Sequence, residues 1–142
     1  MKSVSIISVR NLQRTVEVDF AAVQDFARRA FDRCLALPKR RSALSSLARV
    51  DVLLVSDRRI AGLHRRFHKI AGPTDVITFQ HGEIFISVQT AQRHAAEFGT
   101  STKREIELYL LHGLLHLHGF DDKTAADRRR MCAIQSKMLR TL

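Results

Sequence analysis

Hydrophobic residues in the first half of the chain recur with two different spacings. Ser3–Val9 and Arg49–Val55 are rich in β-branched residues, and each is predicted to form a β-strand. Between them, apolar residues recur every three or four positions from Asp19 to near Pro38. This spacing predicts an amphipathic helix with Asp19 as its N-cap.

A second helix, a turn and a hairpin are predicted in the middle of the chain. The short helix begins at Ser56 or Asp57, and its buried residues are expected to be Ile60, Leu63 and Phe67. The segment GPT then indicates a turn. The stretches DVITF and EIFIS, separated by QHG, have the pattern of two strands joined as a hairpin.

Three further helices are predicted after the hairpin. The first begins at Ser87, and the second begins at Ser101 or Thr102. Ile106–Leu117 is apolar on nearly every side, so this part of the second helix should run through the core. A last helix is predicted over about Thr124–Leu139. The order of elements predicts an α+β fold, with a small mixed β-sheet of about four strands packed with helices in one domain spanning residues 1–142.

Composition narrows the class of protein. The chain has 142 residues, of which 45% are hydrophobic, and this is enough to build a core. It contains no apolar run near the roughly 18 residues that a membrane span needs. The N-terminus lacks a signal-peptide pattern, so we expect a cytoplasmic protein. Cys34 and Cys132 are expected to be buried free thiols, since neither belongs to a CxxC motif.

The net charge of +10 indicates a polyanionic partner. Nucleic acid is the preferred candidate, an anionic membrane is the second, and plain solubility is the alternative explanation. The basic residues cluster in three segments that could contact a nucleic-acid backbone without reading its sequence: Lys39–Arg41, Arg58–Lys69 and Arg128–Arg130.

The stretch HGLLHLHGFDD indicates a metal site. His112 and His116 lie four residues apart on a helix, so their imidazoles share one face. Gly119 can end the helix and reverse the chain, which would bring Asp122 back toward the two histidines. The pattern HxxxHxxGxxD has the spacing of the long zincin motif, with Asp in the third place. Two imidazoles and one carboxylate can bind catalytic zinc and leave a position for water.

Neighbouring residues in the motif have weaker assignments. His118 lies about 120° around the helix from His112, so it is expected to face solvent or to lie behind the ligands. Asp121 could accept a hydrogen bond from a ligand imidazole. A surface histidine pair without metal is the alternative, although the apolar helix argues against it. Gly113 occupies the position of the zincin general base, and glycine can abstract no proton.

HGLLHLHGFDD, together with the upstream PTDVITF and GEIFIS, resembles the YbeY endoribonucleases, the ribosomal RNA maturation factors of bacteria. The resemblance extends from about Leu53 to Met138. It implies an α+β domain with a metal cleft beside the central buried helix. It also implies metal-dependent, single-strand-specific RNA cleavage in maturation of small-subunit (16S) ribosomal RNA and in ribosome biogenesis. The implied partners are this RNA and ribosomal particles, with no membrane, and we assume a monomer.

The resemblance assigns the site residues, with two departures from the family pattern. His112, His116 and Asp122 are implied to hold one Zn²⁺ ion, and Asp122 stands where the family has a third histidine. The carboxylate makes Mn²⁺, Ni²⁺ or Fe²⁺ more plausible. His68 aligns with a family arginine that contacts phosphate, and its implied role is catalytic, as a hydrogen-bond donor or as an acid or base. An exposed helix-end residue is the alternative for His68.

Three functions are compatible with this sequence. The first is the endoribonuclease, and the second is a non-catalytic RNA-binding assembly factor with a structural metal. The third is a peptidase that would use Glu83, on the hairpin, as its base. Other features have simpler interpretations: Thr74 and Asp75 indicate a turn, and the phenylalanines are expected in the core rather than as RNA-stacking platforms, namely Phe79, Phe85 and Phe98.

Overall fold

The computed structural model describes residues 6–38 and 41–142. Its strands and helices follow the predicted order: β1 (Ile6–Asn11), α1 (Phe20–Leu35), β2 (Arg49–Val55), α2 (Asp57–His68), β3 (Val76–Phe79), β4 (Glu83–Ser87), α3 (Val88–Phe98), α4 (Thr102–Leu117) and α5 (Ala125–Thr141). Residues 3–5 of the first predicted strand lie outside the described residues, as do Lys39 and Arg40 of the first basic segment.

The strands form one mixed sheet in the order β1-β2-β4-β3. β1 and β4 both pair with β2 in parallel, whereas β3 pairs with β4 antiparallel as the predicted hairpin. This arrangement confirms the predicted α+β fold with a four-stranded mixed sheet. It leaves β3 at the edge of the sheet, with its outer side unpaired among the described strands.

The predicted N-caps begin the helices. A side chain at each position accepts a hydrogen bond from a backbone amide of the first turn, which satisfies a donor that the helix itself leaves unpaired. The residues are Asp19, Ser56, Ser87, Ser101 and Thr124. Each cap of this kind contributes about 1 kcal/mol to stability. The helix boundaries are therefore encoded locally.

The two faces of the sheet bury alternate residues of the same strands. On one face Val52 and Ile84 pack against the cluster that contains α1, α4 and α5. On the other face Leu53 and Phe85 pack beneath α2. α4 is the central helix, and Leu111 is among its fully buried side chains. Within the part of the chain that the structure describes, every helix is too short or too polar to traverse a lipid bilayer.

Three residues expected in the interior lie at the surface. Phe67 is 51% exposed and Phe98 is 62% exposed, because each lies at the end of a helix that does not extend over the core. Cys132 is also exposed, on the outer side of α5. Cys34 is buried as expected, and burial raises the pKa of its thiol to about 12. The Cys34 thiol is therefore neutral and unreactive at physiological pH.

Asp57 joins the first turn of α2 to α3. Its carboxylate accepts hydrogen bonds from Ser87 Oγ at 2.6 Å and Thr90 Oγ1 at 2.7 Å, and it also pairs with Arg93. Burial alone would raise the pKa of Asp57, but the hydrogen bonds from Arg93, Ser87 and Thr90 outweigh it and the pKa is lowered. This junction fixes the direction of α2, and with it the position of His68 at the other end of the helix.

Candidate metal centre

Three side chains converge at the C-terminal half of α4. His112 Nε2 lies 2.9 Å from His116 Nε2, and Asp122 Oδ2 lies 3.6 Å from both nitrogens. Two donors bound to one tetrahedral ion at about 2.0–2.2 Å are separated by roughly 3.3–3.5 Å. The triangle of donor atoms therefore fits a single cation, and the group could hold one metal ion.

The helix end returns Asp122 to the two histidines. α4 ends at Leu117, and Gly119 takes a φ of +93°, a left-handed conformation that glycine adopts without strain. The amide of Phe120 donates to Leu115 O at 3.0 Å, so the reversed chain is hydrogen-bonded back to the last turn of α4. The predicted stop at Gly119 therefore places the carboxylate beside the helix face that carries the imidazoles.

Hydrogen bonds orient both imidazoles with Nε2 toward the same point. His112 Nδ1 lies 2.6 Å from Gln135 Oε1, which can only accept, so Nδ1 carries the proton. The backbone of Phe120 hydrogen-bonds the ring of His116. Both Nε2 lone pairs then face each other across 2.9 Å, and such a pair repels unless a cation lies between them. This orientation is typical of metal-binding histidines held by a further partner.

The electrostatics of His116 favour the neutral ligand form. Burial is the largest cause that lowers its pKa, and the neighbouring His112 lowers it further. The charge of Asp122 acts in the opposite direction but does not reverse the shift. A metal-binding imidazole must be unprotonated, so His116 is ready to bind an ion at neutral pH.

Gln135 was missed by the sequence reasoning because it lies on α5, 23 residues after His112. We expect Gln135→Leu to weaken metal binding by about 10–100-fold, since the proton on His112 Nδ1 would lose its acceptor. Competition with a chelating dye would measure the affinity. Gln135→Glu, which retains an acceptor, is the control and should bind at least as tightly as wild type. An unchanged affinity in Gln135→Leu would contradict the orienting role of this amide.

A cleft of about 350 Å³ opens beside the three donors. It is lined by residues from α2, β3, α4 and the turn after α4: His68, Asp75, Val76, Ile77, Thr78, Gln80, His112, His116 and Asp122. The structure thus brings His68 into the same cleft as the triangle, although it is 44 residues before His112 in the chain.

Asp75 is a further residue of this cleft that the sequence indicated only as part of a turn. Its Oδ1 accepts the amide of Val76 at 2.7 Å, and its carbonyl accepts the amide of Ser87 at 2.9 Å. These bonds fix the start of β3, so the carboxylate has a defined position at the cleft wall. Its match to the upstream family motif was the only sequence signal for this position.

Several charged residues near the site do not line the metal cleft. Arg65, Arg66 and Lys69 line a separate groove of about 540 Å³ on α2 and are not among the residues that line the metal cleft. Glu83 pairs with His81 at 2.6 Å and does not line the cleft, which removes the support for a peptidase base at this position.

The expected location of His118 was wrong. This residue is 3% exposed; its Nδ1 lies 2.6 Å from Ser42 Oγ and its Nε2 lies 2.7 Å from Leu37 O. His118 therefore joins the end of α4 to the segment before β2 and has a structural role. Asp121 Oδ1 accepts the amide of Lys123 at 3.3 Å, within the turn that carries Asp122.

Gly113 is required by the packing of α4 on the sheet. A Cβ atom at this position would lie 2.8 Å from Ile84 Cγ2 and 3.0 Å from Thr78 Oγ1. The helix passes so close to β3 and β4 that no side chain fits between them. The absence of the zincin glutamate therefore has a steric cause, and α4 can bring its histidines to the edge of β3 only with glycine here.

Comparisons with known proteins agree with the motif. The family model described as "Endoribonuclease YbeY" matches residues 8–142. A protein named "Endoribonuclease YbeY" from Symbiobacterium thermophilum is 34% identical over 150 residues, covering 94% of each chain. The protein of the same name from Acidothermus cellulolyticus is 32% identical, covering 87% of this chain and 84% of the relative.

The fold also has a counterpart among solved structures. The solution structure of TM1509 from Thermotoga maritima superimposes with a TM-score of 0.62 at 24% identity, covering 94% of this chain and 87% of that one. At this identity the likeness concerns the fold. The family model, the relatives and the motif around the donor triangle together confirm the resemblance found in the sequence: the chain belongs to the YbeY endoribonuclease family.

Proposed function

We propose that this protein is a metal-dependent endoribonuclease that cleaves single-stranded RNA. His112, His116 and Asp122 hold one divalent ion, and His68 contacts the scissile phosphate. The observation that carries the proposal is the convergence of three donors on one point at the wall of an open cleft. Relatives named endoribonucleases and the net charge of +10 support RNA as the substrate.

The donor set favours a catalytic ion over a structural one. Structural zinc sites are closed by four protein ligands, whereas this group supplies three donors among the described residues. A bound Zn²⁺ ion would activate a water and neutralise charge on a phosphodiester oxygen. Asp122 contributes a negative charge where the family has histidine, so Mn²⁺, Ni²⁺ or Fe²⁺ are further candidates for the same site.

The chain's own groups supply positioning. His68, which lines the same cleft, donates a hydrogen bond from its imidazole to a phosphate oxygen, or transfers a proton at the same atom. It replaces an arginine of the family and makes one such contact, not the bidentate grip of a guanidinium. Gly113 supplies no base, so we assign proton transfer to His68 and to water, with the Asp75 carboxylate at the wall of the same cleft.

The biological setting follows from the family and stays a proposal. We infer that the chain acts as one domain and as a monomer, in the cytoplasm, on small-subunit ribosomal RNA within ribosomal particles during ribosome biogenesis. Exposed cations such as Arg58 and Arg129 would contact the RNA backbone without reading its sequence. The rival is a non-catalytic assembly factor that binds RNA around a structural metal.

One experiment separates the two functions. Purified protein is stripped with a chelator, reloaded with Zn²⁺ or Mn²⁺, and incubated with an unstructured RNA and with a duplex of the same length. We expect cleavage of the unstructured RNA only after reloading. Cleavage that persists in the stripped protein would contradict the metal mechanism. Salt-sensitive RNA binding without cleavage under any ion would establish the assembly factor instead.

A further inference from the structure

An exposed aromatic cluster lies beside the metal cleft, on the other face of the sheet. Phe67, at the end of α2, is 51% exposed and packs edge-on against Phe79, with ring centroids 5.1 Å apart. His81 stacks on Phe79 at 5.6 Å with an interplanar angle of 19°. We propose that this cluster, the aromatic platform formed by Phe67, Phe79 and His81, stacks a base of the single-stranded RNA substrate.

The platform is rigidly supported from below. Phe79 is half-buried and contacts the ring of Phe85 at 5.8 Å, and Phe85 belongs to the core cluster beneath α2. Phe67 therefore rests on a chain of rings that reaches the interior. Phe67 is a large apolar side chain held half in solvent, and an exposed apolar surface of this kind marks a binding site.

The charges around the platform select a nucleic acid as its occupant. The guanidinium of Arg66 lies over the ring of Phe67, 5.3 Å from its centroid. Arg65, Arg66 and Lys69 line the groove of about 540 Å³ that continues along the same helix. Proteins that bind single strands combine aromatic rings, on which bases stack, with cations that follow the phosphates. An apolar protein partner would not need these cations.

The platform adjoins the metal cleft at two points. His68 follows Phe67 directly, and Gln80 lies between Phe79 and His81; both His68 and Gln80 line the cleft. A strand with one phosphate in the cleft can therefore place a neighbouring base on the platform. Bases inside a duplex are already stacked and paired, so only an unpaired strand can bind in this way. This inference rests on the proposed RNA-cleaving function and assigns its preference for single strands to named residues.

Binding of two short oligonucleotides tests the platform. One is a fluorescent single-stranded RNA, and the other has the same length and charge but lacks bases; anisotropy is measured with chelator present so that no cleavage occurs. Wild type should bind the base-bearing strand more tightly. Phe67→Ala should weaken that binding by about 5- to 150-fold, the range for loss of one stacked base, and leave the abasic strand unaffected.

Three further variants separate stacking from packing. Phe67→Leu keeps apolar contact with Phe79 but has no ring, so it should behave as Phe67→Ala, whereas Phe67→Trp should restore the preference for bases. Phe98→Ala removes a phenylalanine that is at least as exposed, 62% at the end of α3, and should leave the binding of both oligonucleotides unchanged. Thermal unfolding of each variant confirms that it is folded.

The outcomes distinguish the platform from the nuclease. Equal weakening for both oligonucleotides, or none, in folded Phe67→Ala and Phe67→Leu would overturn the platform, whatever the cleavage assay shows. The wild type could instead self-associate and show no preference for the base-bearing strand. If Phe67→Ala abolished that self-association, the surface would be assigned to a second copy of the chain. A base preference that depends on Phe67 in a protein that cleaves no RNA would keep the platform and refute the nuclease.

Discussion

His112→Ala should abolish RNA cleavage, with a rate loss of about a thousandfold or more. This change removes one of the three donor atoms of the triangle and also the hydrogen bond between His112 and Gln135 of α5. An ion held by the remaining pair would bind weakly, and metal activation of water supplies several kcal/mol of the barrier reduction. Cleavage of an unstructured RNA by metal-loaded protein measures the effect.

His94→Ala is the matched control for this prediction. His94 is also a half-buried helix histidine with a hydrogen bond, in this case to the hydroxyl of Tyr109 at 2.7 Å, and it does not line the metal cleft. We expect it to retain cleavage activity. If His112→Ala cleaved RNA as fast as His94→Ala, the ion would not be held where the donors converge, and the proposed mechanism would be wrong.

Gly113→Ala should destabilise the protein even though alanine is the better helix former. The added methyl would lie 2.8 Å from Ile84 Cγ2. This atom is bonded directly to the branched Cβ of a buried residue of β4, so it cannot move aside easily. Overpacking of this kind costs about 1–3 kcal/mol, whereas the gain in helix propensity is about 1 kcal/mol. The net effect is a loss of up to about 2 kcal/mol in the free energy of unfolding, measurable by denaturant unfolding.

Gly62→Ala makes the same substitution in another helix and should have the opposite effect on stability. Gly62 lies within α2, and a Cβ there would meet nothing within 4 Å. Only the gain in helix propensity remains, so the free energy of unfolding should rise by about 0.8–1 kcal/mol. Equal effects of the two substitutions would show that α4 does not approach β3 and β4 as closely as the structure has it.

Local patterns determined how much of the fold and of the site could be predicted from sequence. Helix starts depend on a side chain and an amide two or three residues away, as at Ser87, and the pattern of capping residues is readable directly. The donor triangle is also local, since a helical repeat and one glycine turn place His112, His116 and Asp122 together. The placement of these three residues on one side of the helix end follows from local backbone geometry.

Contacts between distant segments could not be read in this way. His118 interacts with Leu37, 81 residues away, and nothing in its own neighbourhood indicates that partner. Gln135 reaches His112 only because α5 packs along α4. Phe67 has the helical spacing of the buried residues of α2. That spacing does not show where the sheet beneath the helix ends. The environment of each of these three residues depends on how helices and strands pack against one another.

Asp122 stands where the resemblance in the sequence implies a histidine. If the donor triangle holds the proposed ion, the carboxylate would add a negative charge beside it, so bound water should be less acidic than at a site with three histidines. Asp122 is also the most exposed of the donors, with 44% of its side chain accessible, against 26% for His112. It is the donor whose participation depends most on the turn at Gly119.

The metal content of wild-type and Asp122→Ala protein tests the donor triangle most directly. Both proteins are dialysed against buffered Zn²⁺ and then analysed for bound metal per chain. We predict one ion per wild-type chain and a large loss of metal from Asp122→Ala at the same free concentration. Wild-type protein without bound metal, or Asp122→Ala protein with one bound ion per chain, would contradict the assignment of these three residues.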